Sequence, residues 1–233
     1  MKNRHFPKTF PKDFPNASRK ASGFTLVEIA IVLVIIGLLI GGVLKGQELI
    51  NNAKVKNIGN DFRNAQVMLY GYQDKFRRLP GDDNTAVSRW QITGGHEGNG
   101  NGVINGRWNS ENITDESILV WEHLRRANLA TGSTDFASFA TAALPSNAEG
   151  GRFGVSGERP LVSMPGSSFY ACSDSIDGKL ALQLDINMDD GKPDAGSLQA
   201  IAQANGTSQA TGAQNASPDP YADGTRYTVC MSY

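Results

Sequence analysis

The sequence predicts an α+β fold in which a long N-terminal helix packs on a small, mostly antiparallel β-sheet. From Phe24 to about Arg78 the apolar residues have helical spacing, first as a continuous run and then along one face. From about residue 150 onward, apolar residues alternate with polar ones, which is typical of half-buried strands. The predicted parts are a basic leader (1–23), a membrane-spanning helix (24–44), an amphipathic helix (45–79) and a globular head (80–233).

The first helical part is long and apolar enough to cross a bilayer. Residues 24–44 are 21 residues with one charge, Glu28. As a helix they extend about 30 Å, the thickness of the hydrocarbon core. The leader before them contains six Lys or Arg residues and one acid. Because basic flanks stay in the cytoplasm, we expect the leader inside and the chain after Leu44 outside.

Two other kinds of N-terminal segment share some of these features. A secretory signal peptide has a shorter apolar region and ends in small residues, whereas this run ends in Val43-Leu44-Lys45. A plain membrane anchor would fit the length and the flanking charge equally well. The discriminating feature is therefore the acid, Glu28, which is costly in an apolar segment unless it reaches the interface or has a partner or a function.

Glu28 ends a short motif, Gly23-Phe24-Thr25-Leu26-Val27-Glu28, that directly follows the basic leader. This arrangement resembles the signal sequence of type IV pilins and type II secretion pseudopilins, and the resemblance covers residues 18 to about 80. It implies that a prepilin peptidase cuts after Gly23 and methylates the new amino terminus at Phe24. It also implies that Glu28 meets the Phe24 amino group of a neighbouring subunit and sets the register of assembly.

The resemblance further implies a structural protein rather than an enzyme. The expected protein is a pseudopilin or minor pilin that polymerises through its N-terminal helix, and both a type II secretion pseudopilus and a type IV pilus fit these residues. Its expected partners are homologous subunits, the prepilin peptidase and the inner-membrane assembly platform. We expect a single pass through the bacterial inner membrane with the head in the periplasm, followed by incorporation into a fibre. A minor pilin that binds a surface or secreted cargo is the alternative.

Composition and motifs exclude other classes of function. The chain has a formal charge of −1 and the leader contributes +5, so the remainder carries about −6. An acidic chain without a basic patch is a poor partner for nucleic acid. No His-Glu-x-x-His is present, and Gly154-Val155-Ser156-Gly157-Glu158 lacks the final glycine of a nucleophile elbow.

Glycines and amphipathic spacing describe the rest of the long helix. Two Gly-x-x-x-Gly spacings allow close helix contact in lipid, although glycine is common in membrane helices in general. These four glycines are Gly37, Gly41, Gly42 and Gly46. Beyond them, apolar residues recur every three to five positions until Leu79-Pro80-Gly81, where we expect the helix to end.

The head begins with a glycine-rich loop, residues 80–113, and a second helix, residues 115–128. Thr114 is the expected cap of that helix. His123 lies beside its apolar face, and we assign it a structural role because no cysteine or second histidine lies at ligand spacing.

Four segments of the head are predicted to be strands: 152–156, 168–172, 179–186 and 226–232. Residues 199–224 are predicted to be a mobile loop because Ala, Gln, Asn, Gly, Ser and Thr predominate there. Cys172 and Cys230 are the two cysteines. On the oxidising side of the membrane they most simply form a disulfide, although two separate buried thiols are the alternative.

One acidic segment of the head is a candidate calcium site. Carboxylate and amide oxygens suit a hard cation, and here they are supplied by Asp185, Asn187, Asp189 and Asp190. The positions of Gly191 and Gly196 do not fit an EF-hand. Some pseudopilins hold calcium in a loop of the head, so the resemblance to this family supports a calcium site here. An Asx-rich turn between two strands is the alternative.

Overall fold

A computed structural model describes residues 23–92, 95–138, 144–204, 210–212, 214–218 and 220–233. The leader up to residue 22 lies outside these ranges, as do parts of the predicted loops at 80–113 and 199–224. Contacts along the chain divide it after Gly46 into two units, residues 1–46 and 47–233.

The described residues form four helices and one sheet. The helices are α1 (Leu26–Phe76), α2 (Ala86–Trp90), α3 (Glu116–Arg126) and α4 (Gly178–Met188). The strands are β1 (Phe153–Ser156), β2 (Tyr170–Asp177), β3 (Leu198–Ala202) and β4 (Arg226–Ser232). They pair in the order β1-β2-β4-β3, and every pairing is antiparallel. The predicted α+β class, a long apolar N-terminal helix with a small antiparallel sheet, is confirmed.

The N-terminal half of α1 is apolar on all sides. It contains an 18-residue window with a mean hydropathy of 2.9, none of which is buried. By length and composition, α1 is the one helix in the described part of the chain that could cross a membrane.

The C-terminal half of α1 is amphipathic and forms the spine of the head. Its inward residues recur at helical spacing and are buried in the main core; they are Val55, Ile58, Phe62, Ala65, Leu69 and Tyr72. Each large side chain so buried contributes about 1.5–3 kcal/mol of transfer free energy. Phe62 packs edge-on against Phe153 of β1, and the Tyr233 hydroxyl donates to the Phe62 carbonyl. Helix α1 ends at Phe76, close to the predicted end.

The sheet is buried on both faces. One face packs with α1, α3 and α4 in the main core. The other face holds a second, smaller apolar cluster that includes Trp108, Leu161 and Met164. The predicted disulfide lies there: Cys172 of β2 and Cys230 of β4 are directly opposite in the strand register and are bonded to each other. It closes a loop of 58 residues, for which the chain-entropy model gives roughly 4 kcal/mol.

The predicted strand at 179–186 is wrong, because this segment is part of α4. The side chain of Asp177 accepts a hydrogen bond from the Lys179 N–H and caps the helix. Leu180 and Leu184, four residues apart, are buried on one face, whereas Ile186 is 60% exposed. When leucines occupy every second position, every other leucine is four residues from the next. The pattern therefore fits the period of a strand and that of a helix.

The loop predicted at 199–224 was also partly wrong, because its first residues belong to β3. Alanine and glutamine are weak strand formers, but pairing with β4 orders them. The second helix is confirmed at 116–126, although Asp115 and not Thr114 occupies its cap position. This helix is buried on nearly all sides rather than along one face.

Candidate functional site: the N-terminus of helix α1

The motif residues Thr25 and Glu28 bind each other at the start of α1. The Glu28 Oε2 accepts from the Thr25 backbone N–H and from the Thr25 hydroxyl, each at 3.0 Å. In return, the Glu28 N–H donates to Thr25 Oγ1 at 3.2 Å. This reciprocal pair is a capping box, which satisfies N–H groups that the first helical turn leaves without partners. Glu28 therefore has a local role in capping the helix. The sequence contains the signature of a capping box, Thr-x-x-Glu, but the prediction did not include this role.

The capping box holds a charged group at an exposed, apolar helix end. Glu28 is exposed and Phe24 is 81% exposed. No basic side chain pairs with Glu28 among the residues that the structure describes. In lipid or among packed apolar helices, a carboxylate in this position needs a cationic partner to offset its desolvation. An amino group created at Phe24 would have the right charge.

Contacts with the described residues do not explain the four glycines of the apolar half. A Cβ added at Gly37, Gly41, Gly42 or Gly46 would meet no described atom within 4 Å. By contrast, a Cβ at Gly59, in the head half of the same helix, would touch Leu184 and Met188 at 3.5 Å. Small residues let helices approach closely only where another helix is present. These glycines would therefore allow a helix of another molecule to approach α1 closely.

Three of the four residues predicted to bind calcium lie close together in the head. The carboxylates of Asp185, Asp189 and Asp190 offer oxygens that lie within 4.8 Å of one another. Asn187 is two helical positions after Asp185, which turns it by about 200° to the opposite side of α4. It lines a groove against α1 instead. The three carboxylates, without Asn187, are the residues that could hold a cation.

Protein donors already use part of this cluster. Asp185 is buried, and it accepts from the Tyr221 hydroxyl at 2.7 Å and from the Gly191 N–H at 3.1 Å. Asp189 accepts from the Leu198 N–H at 2.8 Å. Burial raises the pKa of Asp185 to about 6, since these hydrogen bonds do not offset the lost hydration and the neighbouring acids add repulsion. The cluster thus orders the turn from α4 to β3.

His123 is a core residue, as predicted. It is fully buried beside Tyr72 and Trp90, and its Nδ1 accepts from the Gly81 N–H at 2.9 Å. Burial lowers the pKa of His123 to about 4. The ring is therefore neutral at physiological pH, and Nε2 is buried with no hydrogen-bond partner among the described residues.

Next to His123 lies an ion pair between a buried aspartate and a half-buried arginine, which the sequence did not indicate. Asp83 pairs with Arg89 of α2 at 2.5 Å and accepts from the Tyr72 hydroxyl at 2.7 Å. Burial alone would raise the pKa of Asp83, but hydrogen bonds from Arg89, Thr85 and Tyr72 outweigh it and lower the pKa to about 2. This pair ties the loop after α1 to the helix itself.

Two more buried carboxylates order the glycine-rich loop. Asp82 accepts from the N–H groups of Asn101 and Gly102, and Glu116 accepts from those of Asn99 and Asn105. Their oxygens are therefore used by the backbone, and the loop is a folded part of the head. Repeated Asn-Gly indicated turns, but nothing in the sequence identified the acids that hold them.

The comparisons with known proteins agree with this N-terminal site. Residues 18–44 match the family described as the prokaryotic N-terminal methylation motif, the signature of type IV pilins and pseudopilins. A search of curated proteins found no match, and neither did a search of solved structures. The matched segment includes the cleavage motif, the capping box and three of the four glycines that single out the start of α1. It supports a pilin-type precursor that prepilin peptidase processes and that assembles with other pilin subunits.

Proposed function

We propose that this protein is a structural subunit that is cut between Gly23 and Phe24 and polymerises through the N-terminal half of α1. The product is a type II secretion pseudopilus or a type IV pilus. The observation that carries the proposal is that this half lacks packing partners among the residues that the structure describes. It is apolar and exposed, Glu28 has no cationic partner there, and a Cβ at its glycines would touch no described atom. A bundle of copies would supply all three missing partners.

The proposed location follows from the same residues. The basic leader stays in the cytoplasm, residues 24–44 span the inner membrane once, and the head lies in the periplasm. The disulfide in the head supports an oxidising compartment, since such bonds persist there.

Sequencing the mature chain from its amino end tests the proposal directly. We expect it to begin at N-methylated Phe24. The variant Gly23→Ala is expected to accumulate as an uncut precursor in the inner membrane, because the proposed peptidase cuts after glycine and a Cβ at this position would hinder the cut. A matched control, Gly46→Ala, changes a glycine far from the cut and should be processed normally. Normal maturation of Gly23→Ala, or a mature chain that starts elsewhere, would contradict the proposal.

Deleting the gene for this protein distinguishes a type II secretion pseudopilus from a type IV pilus. Loss of secretion with surface fibres intact indicates a pseudopilin, whereas loss of the fibres themselves indicates a pilus subunit. The alternative, a minor pilin that binds a surface or cargo at the fibre tip, is favoured by the folded loop around Asp82 and Glu116, which presents a preformed surface. Immunogold labelling restricted to fibre tips would support it, and labelling along the shaft would reject it.

We also propose that the carboxylates of Asp185, Asp189 and Asp190 bind calcium. Their proximity and the unfavourable ionisation of Asp185 support this, because a divalent cation would relieve the repulsion among them. A calcium-dependent rise in the melting temperature of the full chain in detergent is the expected result. An unchanged melting temperature in millimolar calcium would reject calcium binding and show that these residues form only an acidic turn.

A further inference from the structure

A groove on the head lies between α1 and α4, and its chemistry is not explained by the fold. Its volume is about 570 Å³. The wall from α1 is formed by Asn52, Val55, Lys56, Gly59 and Arg63, and the wall from α4 by Gln183, Leu184, Ile186, Asn187 and Met188. No acidic residue is among these lining residues.

The α1 wall is cationic. Lys56 and Arg63 are seven residues apart, two helical turns, and therefore project from the same face. Both are exposed, and neither forms an ion pair with an acid in the described part of the chain. Arg63 donates a hydrogen bond to its neighbour Asn60 at 3.5 Å. Two cations at one groove, in a chain whose mature part carries about −6, create a local field that attracts acidic groups.

The α4 wall offers an acceptor and an apolar contact. Gln183 Oε1 is buried and has no hydrogen-bond partner among the described residues. A buried acceptor without a donor is unfavourable, so a ligand that brings an N–H group would be favoured. Ile186 is 60% exposed at the rim, while Val55 and Leu184 form a buried apolar floor.

These features together match a peptide segment. Its carboxylates would pair with Lys56 and Arg63, its backbone N–H would reach Gln183, and an apolar side chain would cover Ile186. We propose that the groove binds an acidic segment of a second copy of this chain. The inference rests on the proposed function, in which α1 packs among neighbouring copies. The mature chain, with a formal charge of about −6, supplies the complementary charge.

Photo-crosslinking in cells that express the full chain tests the groove. A photoreactive amino acid at Asn187, which is exposed and lines the groove, should give a covalent dimer of the mature chain. Mass spectrometry should locate the crosslink in a segment that contains Asp or Glu. The double variant Lys56→Glu with Arg63→Glu should reduce the dimer about tenfold, because like charges then face each other. Changing the crosslinked acid to lysine should restore it.

Lys179→Glu is the matched control, since Lys179 is an exposed cation on α4 outside the groove. It should leave the dimer yield unchanged, and protease resistance of the full chain should confirm that each variant is folded. A crosslink to another protein or to phospholipid, or a dimer that survives the double charge reversal, would overturn the inference. Absence of the Asn187 dimer in chains recovered from fibres would reject the groove and leave the proposed function intact. Absence of the chain from any fibre would reject both.

Discussion

The two halves of α1 are parts of one continuous helix, yet only the head half finds its packing partners among the described residues of the chain. In the head half, every third or fourth residue is buried, and Gly59 lies where a side chain would touch α4. In the N-terminal half, no residue is buried and no glycine touches anything described. Helix formation alone therefore does not distinguish them. What differs is packing: the head half finds partners in its own chain, whereas the N-terminal half has none among the described residues.

Replacing Glu28 would test the incomplete half most severely. Glu28→Val should insert and be cut but should not assemble, because the cation of a neighbouring chain loses its partner in an apolar bundle. Glu28→Gln separates charge from capping, since its amide oxygen can still accept from the Thr25 N–H. Fibre yield in sheared-cell fractions is the measurement.

If the charge matters, both variants of Glu28 lose fibres almost completely. Thr25→Ser is the matched control, because it keeps the capping hydroxyl and should assemble normally. Normal fibres from Glu28→Gln would show that capping is the role of this residue, and normal fibres from Glu28→Val would make the carboxylate dispensable.

Replacing Phe62 would test the complete half. Phe62→Ala leaves a cavity in the main core against Phe153 and should lower the free energy of unfolding by about 3–5 kcal/mol. Chemical denaturation of the full chain in detergent, followed by tryptophan fluorescence, is the measurement. A loss below about 1 kcal/mol would contradict the packing described for this face.

Gly41→Ala is the matched change in the other half. A Cβ there would meet no atom that the structure describes, so the unfolding of the head should be unaffected while fibre yield falls. A stable head with normal fibres would show that the glycine spacing has no role in assembly.

The head half also predicts a dependence on pH through His123. Its pKa is about 4 in the folded chain and 6.5 in the reference state, so the unfolded chain binds a proton first as the pH falls. Stability that is present above pH 6.5 should therefore be lost progressively down to pH 4, by about 3 kcal/mol in total. His123→Gln, whose amide oxygen can accept from the Gly81 N–H, should remove this slope. Equal slopes for both proteins between pH 6.5 and 5 would assign the effect to other groups.

The smallest effect is expected at the acidic turn after α4. The pKa of Asp185 is raised to about 6 in the folded chain, so its contribution to stability falls as the pH rises from about 4 to 6. Asp185→Asn should therefore stabilise the calcium-free chain at pH 7, by about 1–2 kcal/mol after allowing for solvent screening. With calcium the sign should reverse, because only the wild-type carboxylate gains a ligand.

Thermal denaturation with and without calcium measures this difference. Asp194→Asn, an exposed acid outside the carboxylate cluster, is the control and should change neither value. A destabilised Asp185→Asn in calcium-free buffer would show that the ionised group is favourable in the folded chain.

Local patterns predicted the parts of the fold that depend on a single segment. The sequence predicted three such parts, because each depends on adjacent residues: the apolar run, the motif that ends in Glu28, and the bounds of β4. The segment 179–186 was misassigned because its leucine spacing fits a strand and a helix alike, and the capping contact from Asp177 and packing under α1 decided for the helix.

The sequence by itself determined the membrane-length helix, the cleavage motif and the fold class, because hydrophobic periodicity and charge placement are properties of neighbouring residues. The tertiary structure alone decided that Asp82, Asp83 and Glu116 are buried, that β3 is a strand, and that Lys56 and Gln183 face one groove. These outcomes depend on residues that are distant along the chain. Burial, pairing and desolvation arise only when folding brings such residues into contact.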